Sequence, residues 1–193
     1  MNYDDKTALL VVDVQNDFAD QRGSLYVTDG QVVVDVINRE IERARSAGAL
    51  IVYTQDWHPA TTPHFAKDGG IWPVHCVMDT WGAELHPGLT VAGDIIRKGA
   101  TGNDGYSGFT ERHPTTAEEH PTPLVDLLRE HAIERVAVAG LATDYCVKET
   151  AADALGNGFA TSVLTAGVRG VNLEPGDDER AIEQVRAAGG TIE

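Results

Sequence analysis

ERVAVAGLATDYCVKETAADALGNG, residues 134–158, holds the transition that decides the fold. Residues 134–139 form a short apolar run that Gly140 interrupts, the pattern of a strand buried on both faces. Helical spacing then takes over across 145–155, and Gly156 or Gly158 closes it. A strand that turns directly into a helix is half of a parallel βαβ unit. Working outward, similar apolar runs occur at 7–13, 49–55, 94–98 and 160–165. Between the first two, QVVVDVINREIERARSAG carries Val33, Val36, Ile37, Ile41 and Ala44 at helical spacing, with Asp29 as the expected N-cap and Gly48 as the stop. Thr122 and Pro123 predict a helix start before LVDLLREHAI, and residues 177–188 predict a last helix. The alternation predicts a single α/β domain over 1–193, three-layer α/β/α with a central, mostly parallel sheet. Ligands of such sheets bind beyond the C-terminal strand ends.

Bulk properties narrow the function classes. The composition, 42% hydrophobic and 23% charged, is that of a globular chain. A net charge of −15 repels phosphate backbones and anionic bilayers, so neither nucleic acid nor membrane is an expected partner. MNYDDKTALLVV has no basic region leading into a cleavable apolar segment, and the expected location is cytoplasmic. Two cysteines, Cys76 and Cys146, cannot build a disulfide framework but leave room for one reactive thiol.

Several strand ends carry residues capable of chemistry. Asp13 follows the first apolar run, where a carboxylate can serve as acid or base; a turn residue is the plainer reading. Lys98 ends the third run beside Gly99, either as a partner for an acid or thiolate or as a solvated strand-end lysine. Cys146 falls near a helix N-terminus, where backbone N–H groups favour a thiolate and can hold an oxyanion, although a free buried cysteine is just as often inert. Asp56, His58, His64 and His75 are three imidazoles and a carboxylate within 20 residues, a donor set that suits zinc, iron or manganese. His86, His113, His120 and His131 fall outside that segment, and Cys76 is expected to be a buried spectator. The stretches 57–93 and 99–121 are too long for plain connections and are expected to fold over a site. Their aromatics, Trp57, Phe65, Trp72, Tyr106 and Phe109, together with Phe18, can either sandwich a flat ligand or anchor the loops, the second being expected of Phe65 and Phe109.

VVDVQNDF at 11–18, DWHP at 56–59 with a following HF, WPVHCV at 72–77, RKG at 97–99 and GLATDYCV at 140–147 together resemble the nicotinamidase branch of the isochorismatase-like cysteine hydrolases. The match runs in order through the whole chain. The resemblance implies the isochorismatase-like hydrolase fold and a triad of Asp13, Lys98 and Cys146. It implies an oxyanion hole from the Ala142 and Cys146 N–H groups, with a cis peptide at Leu141–Ala142. It further implies a substrate pocket lined by Phe18, Trp72 and Tyr106, and one divalent transition metal on Asp56, His58, His64 and His75. The implied reaction is hydrolysis of nicotinamide, and of pyrazinamide, through a cysteine thioester. A homo-oligomer is compatible with the resemblance. Two competing readings are a metal-independent amidohydrolase of ureido or carbamoyl substrates, against which the histidine set argues, and a silent metal-binding module. The segment 110–121 departs from the family pattern as a variable surface excursion.

Overall fold

A computed structural model describes residues 1–193. The central sheet has six strands, β1 (Thr7–Val12), β2 (Leu50–Asp56), β3 (Asp94–Lys98), β6 (Arg135–Leu141), β7 (Ala160–Arg169) and β8 (Thr191–Ile192), in the order β3-β2-β1-β6-β7-β8. All five pairings are parallel, so the sheet is more uniform than the expected mostly parallel one. The chain fills the β2 and β3 side of β1 first and then crosses to place β6 on the other side. That reversal makes the crevice beyond β1 and β6 the natural ligand position.

The period-2 alternation of strand side chains divides the core in two. Leu9, Val11, Ile51, Tyr53, Ala137 and Ala139 face α2 (Val32–Ser46), which buries Val33, Val34, Ile37, Ile41 and Ala44 against them. Ala8, Leu10, Val12, Val52, Val136 and Val138 point the other way. There they meet Leu124 and Leu128 of α3 (Leu124–Glu130), Ala151 and Ala154 of α4 (Lys148–Gly156) and Val185 of α5 (Asp177–Ala187). This is the expected three-layer arrangement, with β1 buried along its whole length.

Local details depart from the sequence expectations. Asp29 does not cap α2; Gln31 holds that position and Asp29 sits in the left-handed region at φ 58°. Thr122 does act at the start of α3, its Oγ1 accepting the Leu124 N–H at 3.2 Å. A short helix α1 (Asn16–Ala19) follows β1 directly, and residues 110–121 contain an antiparallel pair, β4 (Thr110–Arg112) and β5 (Glu119–Pro121). The expected helix over 145–155 begins as a π-helical turn, Thr143–Val147, before α4. Such turns are frequent at functional sites. Gly140 is needed at its place in β6: its φ is 126°, and a Cβ there would lie 2.0 Å from the Val12 carbonyl oxygen. No helix is long and apolar enough to cross a membrane.

Candidate active site

Four parallel strands deliver their C-terminal residues to one place. Asp13 follows β1, Asp56 ends β2, Lys98 ends β3, and Cys146 sits in the π-helical turn after β6. The Lys98 side chain is 1% exposed and its ammonium lies 2.9 Å from Asp13 Oδ2, contacts Asp56 Oδ1 and donates to Cys146 Sγ at 3.8 Å. Asp13 Oδ1 accepts the Thr54 hydroxyl at 2.6 Å. One oxygen of Asp13, one of Asp56 and the Cys146 sulfur all lie within 4.8 Å of one another.

The electrostatics follow from burial and one central cation. Burial pushes the Asp13 carboxyl up, and the pull of Lys98 only partly offsets it. Asp56 is equally buried, yet Lys98 and His58 overcome that burial and hold it well below the usual carboxylate range. Burial alone would discharge Lys98, but Asp13, Asp56 and Cys146 raise it well above an ordinary lysine. Burial also pushes the Cys146 thiol up, against the attraction of Lys98. A thiol of raised proton affinity thus stands beside a carboxylate whose proton affinity is also raised, with the Lys98 ammonium between them. Such a pair can pass the thiol proton to the carboxylate as sulfur attacks an electrophile.

The three expected histidines converge. One nitrogen from each of His58, His64 and His75 lies within 4.8 Å of the others, and all three rings are buried. His58 Nδ1 and Nε2 have no hydrogen-bond partner in the protein, so whichever of them carries the lone pair is free for an electron-pair acceptor. Gly99 is packed so closely over this ring that a Cβ there would fall 2.6 Å from His58 Nδ1, and its φ is 83°. His75 Nδ1 lies 2.7 Å from the Pro73 carbonyl and so carries the proton, leaving Nε2 with its lone pair. Burial pushes His75 down to about 4, which keeps the ring neutral near neutral pH. Asp56 Oδ2 lies 3.8 Å from His58 Nε2, so Asp56 spans the lysine group and the histidine group. This donor set fits a divalent metal of the first transition row.

Above both groups lies a small cleft with a mostly apolar lining. Phe18, Trp72 and Tyr106 all line it, with Ala142, Cys146, Asp56, His64 and His75 at its base. The Leu141–Ala142 peptide is cis, and no backbone hydrogen bond outside the regular elements uses the Ala142 N–H. Trp57, Phe65 and Phe109 do not reach the cleft; the last two are buried anchors, as expected. Cys76 is likewise buried, its N–H donating to Asp17 Oδ2 at 2.7 Å.

Sequence reasoning missed some wall residues. Tyr145 stacks edge-on against Trp72 and Tyr106 at ring separations of 4.9 and 5.3 Å, and Leu25, Val27 and Val171 complete the apolar lining. The position of Tyr145 beside the cysteine was the available signal; the aliphatic residues sit in irregular loops and carry none. Asp104, also missed, lies 2.8 Å from His64 Nδ1.

Fold and site together define an α/β/α protein of the hydrolase type, with a buried acid–lysine–thiol group beside a three-histidine cluster at the carboxyl edge of a parallel sheet. A family model, the isochorismatase domain, matches residues 7–193, and the chain belongs to that family. It is 41% identical to the nicotinamidase of Escherichia coli (strain K12), over 96% of this chain and 93% of the relative. The pyrazinamidase of Pyrococcus horikoshii, in complex with zinc, superposes with a TM-score of 0.87 at 39% identity, covering 97% of this chain and 98% of that one. PnC1 from L. infantum, in complex with nicotinate, gives 0.90 at 34% identity over 100% and 95%.

Proposed function

We propose that this chain is a nicotinamidase that releases ammonia from nicotinamide with Cys146 as nucleophile, working as one domain over residues 1–193 in the cytoplasm and feeding NAD salvage. The observation that carries the reading is the Lys98 ammonium, which holds Asp13 at 2.9 Å, Asp56 in direct contact and Cys146 Sγ at 3.8 Å beside three converging histidines. The similar nicotinamidase and the zinc and nicotinate complexes agree with it in chemistry.

Phe18, Trp72 and Tyr106 clasp the flat pyridine ring and exclude water from the amide. Asp13 takes the thiol proton as Cys146 Sγ forms a bond to the carboxamide carbon. The Ala142 and Cys146 N–H groups receive the oxyanion of the tetrahedral intermediate. Asp13 then returns its proton to the amide nitrogen, the C–N bond breaks and ammonia leaves, so that the nicotinoyl group is held as a thioester. A water that gives its proton to Asp13 attacks the thioester carbon; the thiolate departs and takes that proton back from Asp13, and the nicotinic acid loses its own proton to solvent and leaves as nicotinate. Lys98 stays cationic throughout and holds Asp13 in place. His58, His64, His75 and Asp56 would hold a divalent metal (zinc, iron or manganese) that, when bound, supplies a Lewis-acidic position for the pyridine nitrogen. Pyrazinamide, with a ring nitrogen and amide in the same relation, is a second substrate.

Ammonia release from nicotinamide by purified, metal-analysed protein tests this. Cys146→Ala abolishes turnover with metal content unchanged, and His58→Ala lowers metal content. Wild-type protein that carries metal and releases no ammonia from nicotinamide would sink the proposal.

A further inference from the structure

Of the three converging histidines, His75 is fixed by a backbone carbonyl and His58 has no partner on either nitrogen, whereas His64 is met by a side chain from a different part of the chain. Asp104 Oδ1 lies 2.8 Å from His64 Nδ1. An ionised carboxylate only accepts, so the proton sits on Nδ1 and the Nε2 lone pair is left for the cluster. The surrounding backbone fixes where Asp104 stands. Its Oδ1 also accepts the Gly105 N–H at 2.7 Å. Its own N–H donates to the Arg112 carbonyl at 2.7 Å, and its carbonyl accepts the Arg112 N–H at 2.5 Å, an antiparallel bridge that fastens residue 104 to β4. Its side chain is 29% exposed, so it stands at the rim with one oxygen facing inward. Two residues further on, Tyr106 enters the cleft wall and its hydroxyl accepts the Trp72 Nε1–H at 3.0 Å.

We propose that Asp104 is a positioning residue of the metal centre, fixing the tautomer and ring orientation of His64 so that Nε2 faces the bound divalent cation. The inference rests on the metal-binding reading of the histidine cluster. Carboxylates behind metal-ligating histidines sharpen the donor and raise its basicity, and losing one weakens metal binding by about 10–100-fold. Glu111 does not take part in this, because its carboxylate is engaged by the Gly99 N–H.

The test uses zinc-loaded, full-length protein and follows zinc transfer to a chromophoric chelator, which reads metal affinity without substrate. Asp104→Ala should give up zinc at about 10–100-fold lower chelator concentration than wild type. Asp104→Asn, which keeps a carbonyl acceptor in the same place, should recover most of that loss. A double-mutant cycle with His64→Ala separates a role through the histidine from a general structural one, because removing Asp104 should then change zinc affinity little. An undiminished zinc affinity in Asp104→Ala overturns the proposal. So does an equal loss in the wild-type and His64→Ala backgrounds. Either result, obtained with a wild type that holds zinc and releases ammonia, overturns the role of Asp104 alone; a wild type that holds no zinc overturns the metal centre as well.

Discussion

Lys98 faces two carboxylates and a thiol from a position almost sealed from water. Removing one partner of a buried ionic group costs about 3–5 kcal/mol, because the charges left behind lose their compensation. Lys98→Met leaves Asp13 and Asp56 as neighbouring buried acids. The expected outcome is a denaturation midpoint lowered by a loss of that size, with ammonia release abolished even in the fraction that remains folded. Asp13→Asn separates the two effects, since it keeps the shape and removes the proton acceptor. Its urea midpoint should stay closer to wild type than that of Lys98→Met while turnover falls by about 100-fold or more, the usual scale of a lost general base. An Asp13→Asn enzyme with wild-type kcat would remove the carboxylate from the reaction altogether.

Five of the six sheet strands and the four longer helices were legible because their signals are periodic or continuous over several residues, whereas β8, the β4–β5 pair and α1 are too short to carry one. The α2 positions Val33, Ile37, Ile41 and Ala44 repeat at helical spacing and are buried together against the sheet. Ile37→Ala in that stripe should cost about 2–5 kcal/mol, read from chemical denaturation, with the KM for nicotinamide unchanged. Asp13, Lys98 and Cys146 each follow an apolar run, a weak signal taken singly; the family resemblance puts them forward together, and the parallel strands bring those ends to one place. The π-helical turn around Cys146 was not legible, because a π turn and an α turn place apolar residues in nearly the same order. Nor were Leu25, Val27, Val171 and Asp104, which reach the site through loops whose course depends on tertiary contacts. Asp144 illustrates the same limit. It is buried behind Tyr145, and its carboxylate accepts the Val171 and Asn172 N–H groups at 2.9 and 2.8 Å, tying the segment after β7 to the nucleophile turn. Asp144→Ala orphans those two donors at about 1–3 kcal/mol each. Since Val171 lines the cleft, a raised KM for nicotinamide should accompany the lost stability. An unaltered KM would mean that the pocket wall does not depend on this tie.

The proposed metal ligands join the end of a central strand to the loop that covers it. Asp56 and His58 end or follow a central strand, while His64 and His75 come further along the covering loop of residues 57–93, which is otherwise held by short turns and three isolated bridges, His58 to Val77, Phe65 to Trp72 and Leu85 to Gln15. A cation on all four would bind the folded chain and not the unfolded one, and so would raise stability by mass action. At a free metal concentration 1,000 times Kd the gain is about 4 kcal/mol. For a chain of this size each kcal/mol moves the melting temperature by about 2–4 °C, so full loading should raise it by roughly 8–16 °C. Stripping the protein with a chelator and re-adding zinc measures this directly by differential scanning calorimetry. His58→Ala should abolish most of the zinc-dependent rise, because both nitrogens of that ring lack any other partner. Cys146→Ala should keep the rise, since its sulfur belongs to the Lys98 group and not to the histidine cluster. If instead the cysteine variant loses the rise and the histidine variant keeps it, the metal sits on Asp13, Asp56 and Cys146, and the division of the site into a reacting half and a holding half is wrong.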